Sequence, residues 1–253
     1  MKNIKFPAFG MDSRTESTFA KHSFLSEELM QMRYRNEENG QEIIDIARKL
    51  IRYSLNDLEI LNKETFAPKE WTAMSFFFRM LESSQASILL ADMGMNGAAT
   101  TTLRTGYECL FFACACWRKP EFKEKLPDGT RNEMYKITNG LSRFFNDSDF
   151  SEEIANKISK LNVKPLKSGP TYYEAAQVAD LEILFQGIYR SLSMLGAHAT
   201  EHSLINYKPS GENMTVNIGP SFENFEKIFE MSVLCIQTGR ERLREHFSHI
   251  QFD

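Results

Sequence analysis

Between residues 26 and 63 the apolar positions Ile43, Ile44, Ala47, Leu50, Ile51, Leu58 and Leu61 recur at helical spacing with charges between them, the pattern of a helix that buries one face. A break is expected near Asn39-Gly40. After Pro68, residues 69 to 93 carry Trp71, Met74, Phe77, Phe78, Leu81 and Ile88 on a second helical face, and Gly94 and Asn96-Gly97 stop it. Residues 98 to 117 form the most apolar helix candidate. From Cys109 to Trp117 nine consecutive positions are apolar, so this helix is expected at the centre of the molecule. A surface excursion marked by Lys119-Pro120 and Pro127-Asp128-Gly129 leads into helices over about 130–145 and 149–161. A long helix over about 172–202 follows, with Leu181, Phe185, Ile188, Leu192, Leu195 and Ala199 in one stripe.

Alternation on both sides of Pro209-Ser-Gly-Glu-Asn213 predicts a β-hairpin over about 203–220, before a last helix over 222–247 that opens on a Ser221 cap. Residues 1–22 show no period and are read as an irregular arm. No repeat or linker divides the remainder, so 23–253 is read as one domain. The fold class is therefore mainly α: a single-domain helical bundle of about six helices with one small β-hairpin before the C-terminal helix.

Composition changes this picture little. With 42% hydrophobic and 25% charged residues over 253 positions, the chain is an ordinary globular one. Thirty basic against 34 acidic residues give a net charge of −4, which leaves nucleic-acid binding unsupported. Cys109, Cys114 and Cys116 lie in one apolar run without the turn that would converge thiolates on zinc. They read, with Cys235, as buried free thiols of a reducing compartment. The start of the chain lacks a signal-peptide core and no window is apolar enough for a membrane span, so a cytoplasmic protein without membrane contact is expected. Twenty phenylalanines and 12 methionines supply enough apolar surface for a homo-oligomer.

Charge in apolar surroundings carries more meaning. Arg104 and Glu108 are the only charges between Ala98 and Trp117 and stand at i and i+4. Either would cost several kcal/mol if buried alone (~3–5 kcal/mol). They read as a buried pair that fixes helix register, or as an arginine fork offered to an anionic ligand with Glu108 orienting it. Tyr189, Ser193, His198 and His202 lie on the later long helix. His198 and His202 share a face, where one of them can cap carbonyls at the helix end or both can line a polar pocket. They lack the HExxH glutamate placement and a third ligand, so no metal is expected, and nothing calls for a cofactor. The leading expectation is a binding or effector module in which Arg104, Tyr107, Glu108, Tyr189, Ser193, His198 and His202 surround a pocket for a small anionic ligand or a partner.

Arg240-Glu-Arg-Leu-Arg-Glu-His246 fits the Arg-x(4–6)-His spacing of HEPN-type ribonucleases, although Glu241 departs from the residue usual after that arginine, and chance alone supplies such spacings at this density. The alternative function is a metal-independent ribonuclease in which Arg240 and His246 meet across a dimer. Against it stands a solvated basic helix end that complements the helix dipole.

Two blocks carry a resemblance. Gly97 to Glu108, containing Leu103-Arg104-x-x-Tyr107-Glu108, and Tyr189-Arg190-x-Leu192-Ser193-x4-His198 resemble the bacterial DUF5677 family over about residues 70–245. After His198 this chain has Ala199-Thr200 where a proline-containing step is common. The resemblance implies a helical bundle with a small hairpin, in the company of HEPN-like, mobile-element and phage-defence proteins, and names no substrate.

Overall fold

The apolar run 109–117 lies in a central helix, Asn96–Arg118, where Cys109, Leu110, Phe111 and every residue from 113 to 117 are buried. The computed structural model describes residues 27–61, 68–144, 151–164, 168–197, 203–204 and 225–252. In chain order the helices are α1 (Glu27–Leu61), α2 (Pro68–Asp92), α3 (Asn96–Arg118), a 3-10 turn (Pro120–Lys125), α4 (Leu126–Phe144), α5 (Glu152–Leu161), α6 (Tyr172–Val178), a helical run α7 (182–197) and α8 (Phe225–His246). The described residues thus form eight helices rather than about six and contain no strand. The expected hairpin and the arm 1–22 fall outside the described residues, apart from 203 and 204 in a 3-10 turn.

α2 and α3 form the scaffold. Gly94 turns the chain between them at φ 72°, a left-handed conformation that suits glycine, and Met95 N–H closes the turn onto the Leu90 carbonyl at 2.9 Å. Ser83, Ser84 and Ser87 of α2 are buried against α3, where Ser87 Oγ donates to the Ala99 carbonyl at 2.9 Å. A Cβ on Gly106 would come to 3.3 Å from Ser84 Oγ, so small residues set this close approach. α8 packs across α1, α2 and α3. A Cβ on Gly239 would run into Met80 Cε, and glycine there lets α8 close on α2.

Three boundaries differ from expectation for physical reasons. α1 runs through Asn39-Gly40 unbroken, because one interior glycine costs only about 1 kcal/mol. Pro127-Asp128-Gly129 is the first turn of α4 rather than a loop, a position where proline loses no backbone hydrogen bond. The helix expected over 172–202 is two helices. α6 opens on a capping box, with Glu174 N–H donating to Thr171 Oγ1 at 3.1 Å and Thr171 N–H to Glu174 Oε2 at 2.6 Å. It ends at Val178, and the chain leaves it through Asp180, which takes φ 53°, a left-handed state that aspartate tolerates better than most residues.

α6 and α7 pack on α3. α5 buries no side chain and packs on α4. Among the described residues no helix is long and apolar enough to cross a membrane.

All four cysteines are free and buried. Burial pushes the Cys109 and Cys116 thiols up to about 11 and Cys235 to about 12, from an ordinary value of 9, and drives Cys114 further up. The unfolded chain therefore releases these protons first. The stabilisation is complete below pH 9 and is lost as pH rises from 9 through 11 and 12. With each displaced pH unit worth about 1.4 kcal/mol, the helical circular dichroism should fall cooperatively within that window. A helical signal that persists unchanged to its upper end would contradict thiol burial.

Candidate functional site

Arg104 and Glu108 lie on the face of α3 that meets α7, with side chains 23% and 15% exposed and Arg104 Nη2 3.1 Å from Glu108 Oε1. Such a pair gains stability only if its remaining donors and acceptors are also satisfied, and α7 supplies the partners. Arg104 Nε donates to Ser193 Oγ and Nη2 to the Tyr189 hydroxyl, both at 2.9 Å. The Tyr189 hydroxyl donates in turn to Glu108 Oε1 at 3.0 Å, and Ser193 Oγ donates to the Tyr189 carbonyl at 2.9 Å. The guanidinium also lies 5.1 Å from the Tyr189 ring centre, within reach of a cation–π contact.

The conformation of α7 makes this possible. After one α turn (Glu182–Leu184) it widens into a π turn (Phe185–Tyr189), returns to α over Arg190–Leu192 and widens again over Ser193–Ala197. Widened turns shift the buried face, so Tyr189 is buried while Leu195, placed by α periodicity in the apolar stripe, is exposed. π turns are common at functional sites. Gly196 brings the backbone of α7 directly against α3: a Cβ there would meet Thr100 Cγ2 at 2.8 Å, and Thr101 Oγ1 donates to the Gly196 carbonyl at 2.8 Å.

An aromatic wall encloses the polar cluster. The Tyr189 ring lies 4.9 Å from Phe185, 5.9 Å from Phe111 and 5.8 Å from Tyr172, centre to centre. Burial, and then the Glu108 carboxylate, push the Tyr189 phenol up to about 12. Burial and Glu108 also raise the Tyr172 phenol. Tyr189 is therefore a neutral hydrogen-bond donor at ordinary pH, not a base or a nucleophile.

Of the residues singled out in the sequence, Arg104, Glu108, Tyr189 and Ser193 come together. Tyr107 does not join them. It is fully buried on another face of α3 and its hydroxyl donates to the Met231 carbonyl of α8 at 2.8 Å, with burial and then Cys235 holding its proton on. His198 and His202 lie outside the described residues. Sequence reasoning missed Tyr172, whose one signal is an aromatic at the first turn of a capped helix.

The basic end of α8 is not simply solvated. Arg240 Nε and Arg244 Nη2 lie 2.6 and 2.7 Å from the two oxygens of Asp57 on α1, whose side chain is 2% exposed. Arg242 pairs with Glu245 at 2.8 Å. His246 stacks on Trp117, with ring centres 5.8 Å apart, and its Nε2 is 3.5 Å from Glu70. Arg240 and His246 thus each have close partners within one chain. Asp57 was also missed. Its signal was an acidic residue at the core-facing spacing of Ser54, Leu58 and Leu61.

These features define a mainly helical protein in which a central apolar helix carries an Arg–Glu pair, completed by tyrosine and serine from a π-widened helix. The model of one family, described as "Family of unknown function (DUF5677)", matches residues 70–213. That is more than half of the chain, and the chain belongs to this family. The match covers Arg104, Glu108, Tyr189 and Ser193 but ends before α8, short of the extent to 245 expected from the motifs. No curated protein and no solved structure matches the chain.

Proposed function

We propose that the protein is a cytoplasmic binding or effector module whose Arg104 cluster receives a small anionic ligand. The observation that carries this reading is the state of the guanidinium. Two of its three nitrogens are fixed by Ser193, Tyr189 and Glu108, while among the described residues nothing accepts a hydrogen bond from Nη1. A part-buried arginine held rigid in this way loses little entropy when it grips a carboxylate or phosphate. The π turns that bring Tyr189 and Ser193 to Arg104 support a binding role, and four unpaired cysteines support a reducing compartment. The ribonuclease alternative has less support, because Arg240 is already engaged within one chain by the buried Asp57 carboxylate and His246 by Trp117 and Glu70.

Native mass spectrometry of the purified chain tests the proposal. A small anionic adduct is expected on the wild type, with about tenfold lower occupancy in Arg104→Lys, which keeps the charge and loses the fork. No adduct on the wild type, or equal adducts on both proteins, would overturn it. Circular dichroism of the variant checks that α3 and α7 remain packed.

A further inference from the structure

Among the described helices, α5 alone buries no side chain. It is 10 residues long, and helices shorter than about 12–15 residues are marginal in water unless they pack. Within its own chain it meets α4, and Asn162, just past its end, donates from Nδ2 to Ser142 Oγ at 3.4 Å.

The sequence of α5 is nevertheless two-faced. Ile154, Ile158 and Leu161 stand at i, i+4 and i+7, which is one stripe along the helix. Ile154 and Leu161 remain 47% and 45% exposed, with Ile158 half-buried between them. A short helix with its apolar stripe in water calls for a second surface.

The residues beside the stripe say what that surface is. One flank carries Glu153, Lys157 and Lys160 in order from the N-terminal to the C-terminal end, and the other carries Ala155 and Ser159, which are small and uncharged. Lys157 is held by Glu153 of its own helix. An antiparallel copy of the same helix, related by a two-fold axis near Ile158, sets Ile154 against Leu161 and Glu153 against Lys160 at both ends. The small flank lets the two backbones approach, and the opposed helix dipoles add to the pairing. A parallel copy would set Glu153 against Glu153 and Lys160 against Lys160, which like charges oppose. The charge pattern of α5 is thus complementary to itself in one orientation.

We propose that α5 is a homodimer interface, in which two copies of this chain pack their Ile154–Leu161 stripes antiparallel and Glu153 of each copy meets Lys160 of the other. The interface is short, at the low end of the range for specific association, so the dimer forms and separates with concentration. It is independent of the Arg104 cluster.

Sedimentation equilibrium of the full chain at low ionic strength, where exposed charges are least screened, tests the proposal. The wild-type mass is expected to rise with concentration from 29.2 kDa toward twice that value. Replacing Ile154 and Leu161 together by glutamine, a good helix former, is expected to hold the chain at the monomer mass, with circular dichroism showing that it still folds. Glu153→Lys and Lys160→Glu each place like charges opposite one another at both ends of the pair, and each is expected to weaken self-association about tenfold. An equimolar mixture of these two variants is expected to regain the wild-type affinity, because their charge patterns complement each other. Recovery in the mixture also shows that neither substitution unfolds α5. A wild type that stays at the monomer mass, which would leave the stripe to a different protein, would overturn the proposal. So would an unchanged dimer in the double glutamine variant, or a mixture no stronger than its separate components.

Discussion

Replacing Asp57 by alanine is expected to destabilise the protein by about 3 kcal/mol. The Asp57 carboxylate is 2% exposed and holds Arg240 and Arg244 of α8 against α1. Removing it leaves two guanidiniums, 19% and 31% exposed, without their common counter-ion. Breaking a buried pair on one side costs ~3–5 kcal/mol, and the partial exposure of the arginines places this case at the lower end. An Asp57→Asn variant keeps an oxygen that accepts hydrogen bonds and should lose less. The three-way substitution Asp57→Leu, Arg240→Met and Arg244→Met should recover most of the loss, because an apolar replacement leaves no unpaired charge. Urea denaturation midpoints at constant m-value measure all three. A loss below about 0.5 kcal/mol in Asp57→Ala, the scale of an exposed pair, would show that the clamp is not closed in solution.

Phe111→Ala is expected to cost about 3–5 kcal/mol, the range for removing a buried aromatic side chain. Phe111 is fully buried, and its ring lies 6.2, 6.0 and 5.9 Å from those of Tyr107, Phe185 and Tyr189. The void would open between the core of α3 and the underside of Tyr189, so the same substitution should loosen the Arg104 cluster. Phe111→Leu retains most of the volume and should lose less than half as much. Equilibrium unfolding gives the stability change. Hydrogen exchange at the α7 amides shows whether the loosening reaches Tyr189, and protection there unchanged in Phe111→Ala would separate the core from the cluster.

The sequence made the scaffold legible because its strongest signals are local. Nine apolar residues in a row could belong only to a central helix, and Arg104 and Glu108 at i and i+4 had to meet on its edge. Leu192 also falls where its periodicity places it, fully buried. What escaped were features set by other segments or by departures from α geometry. Asp180 ends α6 without a glycine or proline to announce it. The widened turns of α7 invalidate a wheel drawn at 100° per residue, which is why Leu195 looked like core. Asp57 meets Arg240 across 183 positions, and one sequence contains no signal for such a pairing. Tyr107 failed for a related reason. Position on the wheel placed it near Arg104, but the face it shares is the one covered by α8.

The π turns have a consequence for how α7 can vary in length. A π turn is geometrically an α-helix that has accepted one extra residue, so a single-residue deletion within Phe185–Tyr189 could be absorbed without breaking the helix. The return to α geometry takes up the missing residue, so everything beyond it stays in register, with Ser193 still against Arg104 and Gly196 still against Thr100. α7 therefore carries slack for the loss of one residue in the turn that precedes Ser193.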